Sequence, residues 1–200
     1  MRFETFTPDG FDPREEIRGN VRRAFEYAQD FAQNPHAEKP WFVLIGGNGC
    51  GKTHLAVAIA NYCVDHGMPV LFVVVPDLLD ELRATFAPSS EVSYSATFAE
   101  VQAAPLLVLD DLGTQSSTPW ADEKLFQIIN HRYNASLPTV ITTNRSVDEF
   151  PPRIASRVTD PLYSRVYRIL ARDSRDGLVE RTGQNAPFSV VPPRKRAARG

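Results

Sequence analysis

Eight consecutive residues, Gly46-Gly47-Asn48-Gly49-Cys50-Gly51-Lys52-Thr53, follow the pattern G-x-x-x-x-G-K-T. They lie between an apolar run, Trp41 to Ile45, and a stretch with helical patterning. Glycines at this spacing let a strand turn sharply and let backbone N–H groups approach a polyphosphate with no Cβ in the way. The helix that follows aims its positive end at the same anion. Lys52 supplies a mobile charge for the β and γ phosphates, and the Thr53 hydroxyl is placed to ligate Mg²⁺. Gly46, Asn48, Gly49, Cys50, Gly51, Lys52, Thr53 and His54 are therefore the candidate nucleotide-binding residues.

A second apolar run, Leu106 to Leu109, ends in two carboxylates, Asp110 and Asp111. Carboxylates at the carboxyl end of a parallel strand lie on the edge where α/β ligands bind. Asp110 is the candidate partner of Thr53 in the Mg²⁺ shell, and Asp111 the candidate to orient or deprotonate an attacking water. A solvated Asp-Asp turn opening the Leu112-Gly113 loop is the alternative. A third run, Val140-Ile141-Thr142-Thr143, leads to Asn144. If that strand lies between those ending at Ile45 and Leu109, Asn144 reaches the γ-phosphate and the water attacking it; otherwise it is a common turn residue. Cys50 sits at a helix N-terminus, where a thiol can become reactive and its modification would block nucleotide binding. Its alternative role is that of a small residue that fits.

These groups need a scaffold, and the chain alternates strand with helix. Apolar runs at 41 to 45, 70 to 75, 106 to 109, 138 to 142 and 166 to 170 have strand length and β-branched content. Their continuous hydrophobicity predicts a parallel sheet covered by helices on both faces. Helices are expected over Lys52 to His66, closed by Gly67; Asp77 to Phe86; about Ala96 to Ala103; and Pro119 to Ala135. Thr118 is the expected N-cap of the last, with Pro119 at its first position. Residues 88 to 91 read as a loop. Ile17, Val21, Ala24, Phe25, Ala28 and Phe31 have the spacing of an amphipathic helix, to pack on the chain's own sheet or to meet a partner.

Composition narrows the class. The chain has 200 residues, 42% hydrophobic and 23% charged, the profile of one globular domain. No run approaches the roughly eighteen apolar residues needed to span a bilayer, and Met1 to Thr5 has no signal-peptide pattern, so a cytoplasmic protein with no membrane role is expected. Two cysteines, Cys50 and Cys63, are too few for a disulfide framework or a metal site. The net charge of -2 excludes nucleic-acid binding by bulk charge and requires a local patch.

The motifs together resemble the AAA+ ATPases of the DnaC, DnaI and IstB group, bacterial helicase loaders and transposition helpers. The resemblance runs through Gly51-Lys52-Thr53-His54-Leu55-Ala56, Leu107-Val108-Leu109-Asp110-Asp111-Leu112-Gly113, Thr142-Thr143-Asn144 and Arg153-Ile154-Ala155-Ser156-Arg157-Val158. It implies a three-layer αβα P-loop NTPase of the AAA+ type with a five-stranded parallel sheet of order 5-1-4-3-2. It implies ATP and Mg²⁺ as cofactors, self-assembly into an oligomer with ATP between subunits, and Arg157 acting on a neighbour's γ-phosphate. The alternative for Arg153 and Arg157 is a basic face on a short helix. Arg175 resembles the late arginine that senses nucleotide in relatives, without the usual preceding aromatic. The implied catalytic set is Asp111, Asn144 and Arg157.

The resemblance divides the chain into an N-terminal extension with an amphipathic helix (1 to 40), an ATPase core (41 to 176) and a flexible basic tail (177 to 200). The end is too short for a helical lid, and some forty residues before the first strand are fewer than loaders use to grip a helicase. The implied partners are a replicative DNA helicase and single-stranded DNA, for which Arg83, Phe86, Tyr94, Phe98 and the tail Arg194 to Arg199 offer contacts; the aromatics are alternatively core. The implied function is ATP-driven loading of the replicative helicase. A transposition helper acting on duplex DNA, a small-molecule P-loop kinase and a switch that barely hydrolyses are the other readings.

Overall fold

Five short apolar runs form β1 (Trp41–Gly46), β2 (Val70–Val74), β3 (Leu106–Asp110), β4 (Thr139–Thr143) and β5 (Ser164–Ile169). The computed structural model describes residues 1–9, 12–85, 94–116 and 118–171. The strands make one sheet of order β2-β3-β4-β1-β5 with every pairing parallel, which is the 5-1-4-3-2 order the resemblance implied. β4 is inserted between β1 and β3, with Ile141 opposite both Val43 and Leu109. That insertion brings the ends of three strands to one edge, which is where the candidate residues stand.

β1, β3 and β4 are buried at every position, as apolar strands covered on both faces must be. β5 departs from the expected run at 166 to 170. It begins at Ser164, and its exposure alternates because it is an edge strand, with Val166 39% exposed and Arg168 turned outward. Charges on an edge discourage pairing with another chain. Asn20 closes part of that edge, accepting the Leu170 N–H at 2.8 Å and donating to the Arg168 carbonyl at 3.0 Å.

Side chains alternate across the sheet. Trp41, Val43 and Ile45 face α3 (Val75–Ala84), α4 (Tyr94–Ala103), α5 (Pro119–Asn134) and α6 (Pro152–Val158). Phe42 and Leu44 face α1 (Glu15–Gln33) and α2 (Lys52–Asp65). α1 buries Ile17, Val21, Ala24, Ala28 and Phe31, and Phe31 stacks on Phe42 with centroids 5.9 Å apart. The amphipathic face therefore packs on the chain's own core, with Phe25 half-buried at its margin.

α3 starts two residues ahead of the expected Asp77 because Pro76 fits the first turn of a helix, where its missing N–H costs nothing. Thr118 caps α5 as expected, its hydroxyl accepting the Ala121 N–H at 3.2 Å, a bond worth about 1 kcal/mol. Tyr94 and Phe98 stack on one another and pack against the core, with the Lys124 ammonium over both rings. Both cysteines are free and buried. No helix among the described residues is long and apolar enough to cross a membrane. Phe86, the loop at 88 to 91, Arg175 and the basic tail lie outside the described residues.

Candidate functional site

β1 ends at Gly46 where loop and sheet converge. An added Cβ there would lie 2.7 Å from Cys50 Sγ and 2.8 Å from the Ile169 carbonyl, so no larger residue fits. The chain then turns through Gly49 and Gly51, at φ of +69° and +101°, a region that strains any residue with a Cβ. Gly51 caps α2, and the first bond of that helix runs from the Leu55 N–H to the Gly51 carbonyl. The N–H groups of Lys52, Thr53 and His54 thus have no partner within the helix and point out of its positive end. This is an anion cradle made of backbone.

Lys52 is folded into its own loop. Its ammonium is buried and donates to the Gly46 carbonyl at 3.0 Å and the Gly47 carbonyl at 2.8 Å, which satisfies a charge that burial would otherwise penalise. Cys50 Sγ, 4.0 Å from that ammonium, is buried beneath the loop. The His54 ring turns to the N-terminal segment, within 3.1 Å of both Thr5 Oγ1 and the Arg2 carbonyl and edge-on to Phe6.

Asp110, only 3% exposed, lies directly under the start of α2. Its carboxylate accepts from Thr53 Oγ1 at 3.1 and 3.2 Å and from Thr142 Oγ1 at 2.6 Å. Burial pushes this carboxyl above its usual range; the Thr142 hydrogen bond opposes the shift, and Asp111 adds to it. Asp111 follows at φ +58°, a left-handed conformation that Asp tolerates better than most residues. Its N–H donates to Thr142 Oγ1 at 3.0 Å, which fixes the turn. Asn144, exposed at the end of β4, donates to Asn48 Oδ1 in the loop at 3.3 Å.

The structure therefore gathers Gly46 to His54, Asp110, Asp111 and Asn144 at one sheet edge. It does not bring Arg157 there: that side chain lies on α6 and, among the described residues, its hydrogen-bond and ring partners stand on α5 and α6. Sequence reasoning gave no role to the two adjacent threonines that end β4. Thr142 links both aspartates, and Thr143 donates to the Leu112 carbonyl at 2.7 Å, holding the loop after β3. Two adjacent hydroxyls closing a buried strand were the available signal.

A parallel sheet with β4 inserted between β1 and β3, carrying a glycine loop, an acidic strand end and a polar residue on the inserted strand, defines a P-loop domain of the AAA+ class. The solved structure of the DnaC helicase loader superposes with a TM-score of 0.69 at 24% identity, covering 86% of this chain and 96% of that one. AMPPCP-bound DnaA from Aquifex aeolicus superposes with a TM-score of 0.70 at 19% identity, covering 96% of this chain and 56% of that one. A family model described as IstB-like ATP binding protein matches residues 30–166, and the chain belongs to that family. The replicative helicase loader DnaC of Escherichia coli strain K12 is 30% identical over 140 residues, 70% of this chain and 55% of its own length. The chain thus spans about half the length of the curated relatives it matches.

Proposed function

We propose that this chain is an ATP-hydrolysing core that loads a replicative DNA helicase onto single-stranded DNA in the cytoplasm, working as an oligomer with ATP held between subunits. The observation that carries the reading is a division of the site: acidic and polar groups converge on the loop, while Arg157 stands apart on α6. A γ-phosphate in the cradle needs a planar cation facing it, and a neighbouring copy can supply one. The 30% identity to a protein named as a replicative helicase loader supports the choice of partner.

In this reading the loop from Gly46 to Gly51 and the N–H groups through His54 bind the phosphates. Lys52 exchanges its two carbonyl partners for the β and γ oxygens. The oxygens of Thr53 and Asp110, already within hydrogen-bond distance, are the hard donors that suit Mg²⁺, which takes few protein ligands and relies on phosphate for the rest. An ion held by these two residues would supply neutralisation of phosphate charge. Asp111 orients the attacking water and accepts its proton, Asn144 holds that water against the γ-phosphate, and Arg157 of the next copy stabilises the charge as it spreads. Arg175 is proposed as a further nucleotide contact.

The family description favours one second reading, an IstB-like transposition helper acting on duplex DNA. Steady-state ATP hydrolysis across protein concentration, alone, with single strands and with duplex, separates the two. A rate per subunit that climbs with concentration and with single strands is expected for the loader. Stimulation by duplex alone selects the helper, and a flat rate indifferent to DNA rejects both.

A further inference from the structure

We infer that Asn130 and Phe126, on α5, are positioning residues that hold the Arg157 guanidinium ready without neutralising it; this rests on the reading of Arg157 as a group acting on a neighbour's nucleotide. Arg157 Nε donates to Asn130 Oδ1 at 2.8 Å, and its Nη1 donates to the Arg153 carbonyl at 2.8 Å. Its central carbon lies 4.9 Å from the Phe126 ring centroid and 5.8 Å from that of Tyr133. A free arginine samples many rotamers, and ordering it at the moment of reaction opposes catalysis. Here two hydrogen bonds and two ring faces fix the plane in advance, which is how a catalytic charge gains effect without reorganising.

The chemistry of the holders matters as much as their number. Every one is neutral: an amide oxygen, a backbone carbonyl and two aromatic faces. No carboxylate pairs with Arg157 among the described residues, whereas Arg153, one turn away on the same Phe126 ring at 4.4 Å, is paired with Glu123 at 2.7 Å. The two arginines share a face yet differ in what remains for a phosphate. Arg153 is spent on Glu123, and Arg157 keeps its full charge with Nη2 uncommitted among the described residues.

The test is the concentration-dependent ATPase with single-stranded DNA, measured on wild type, Arg157→Ala, Asn130→Ala and Asn130→Asp, each with its melting temperature and ATP affinity. Asn130→Ala is expected to lower kcat about tenfold with KM and ATP affinity unchanged, a split that general loosening of the fold does not produce. Asn130→Asp keeps the acceptor but pairs the charge, so it is also expected to lower kcat while melting no lower than wild type. The Arg157→Ala, Asn130→Ala double variant should be no slower than Arg157→Ala alone. If Arg157→Ala is inactive while Asn130→Ala and Asn130→Asp turn over normally, the positioning role is wrong and the trans-acting arginine stands. If Arg157→Ala itself turns over normally, both fall.

Discussion

Asp110 is held in a place that disfavours its charged form. Its folded-state pKa is raised by burial, so the folded chain binds this proton more tightly than the unfolded chain does. Stability from this group is therefore greatest at low pH and declines as pH rises above the ordinary carboxylate value, the reverse of a salt-bridged aspartate. Asp110→Asn removes the buried charge while an amide oxygen can still accept from Thr142. The nucleotide-free variant is expected to melt higher than wild type at neutral pH, with a flatter dependence of melting temperature on pH. The same variant should lose any thermal protection that Mg²⁺ adds with nucleotide, a gain expected to reach about 2.7 kcal/mol in wild type with the ion at a hundredfold excess over its Kd. A variant that melts lower without nucleotide would show that the Thr53 and Thr142 hydrogen bonds outweigh the burial of charge. Lys52 presents a different conflict, since its ammonium would have to leave two loop carbonyls to engage phosphate. Lys52→Ala should abolish protection by ATP at concentrations that saturate wild type, read in the same melting assay.

At the scale of the element, one residue of α5 ties that helix both to β4 and to the end of α4. Arg132 is fully buried and donates to Thr139 Oγ1 at 2.9 Å and to the carbonyls of Gln102, Ala104 and Pro138 at 3.0, 2.8 and 2.6 Å. Two of those carbonyls lie at the end of α4, the negative end of that helix, which offsets part of the cost of an unpaired buried cation. Burial still pulls the guanidinium down to about 10, far above neutral pH, so it stays charged. Arg132→Leu takes the donor from the Gln102 and Ala104 carbonyls, while Pro138 keeps the Leu107 N–H at 3.2 Å, and should lower unfolding stability by about 3 kcal/mol, measured by urea denaturation. Arg132→Lys keeps the charge but lacks the planar fork, and an intermediate loss is expected. An unchanged midpoint in Arg132→Leu would mean that the α4 end relaxes to bond elsewhere. Nothing in the sequence marked Arg132, because an arginine on an amphipathic helix ordinarily reads as a solvated one. The glycine loop and the aspartate pair were legible because φ and charge requirements leave few residue choices. Strands β1, β3 and β4 were legible from unbroken apolar runs, but β5 was misplaced, since an edge strand alternates and starts here with a buried serine. The lateral order of strands leaves no mark in periodicity at all and came from resemblance. The Asn48–Asn144 contact depends on that order, so spacing alone could not reach it.

At the scale of the molecule the arrangement is lopsided: the phosphate cradle opens at the carboxyl edge of the sheet, and the Arg157 side chain sits on α6 with its partners among the described residues on α5 and α6. A surface that offers a nucleotide on one side and a cation on another is suited to head-to-tail association, in which each copy completes the next. Such an interface makes a prediction that no single-chain site can satisfy. Lys52→Ala copies lack a competent cradle but keep Arg157; Arg157→Ala copies keep the cradle but lack the cation. Each variant alone should be inactive in the concentration-dependent assay. Mixed in equal amounts, they should regain turnover wherever an Arg157→Ala copy receives the arginine of a Lys52→Ala neighbour, about a quarter of junctions if copies associate at random. The recovered rate should disappear on dilution, because it depends on encounter between copies. Wild-type activity in the lone Arg157→Ala variant would place the cation elsewhere. A mixture as inactive as its components, with assembly verified by light scattering, would mean that neighbours do not complete one another's sites, and the division of labour between the sheet edge and α6 would need another explanation.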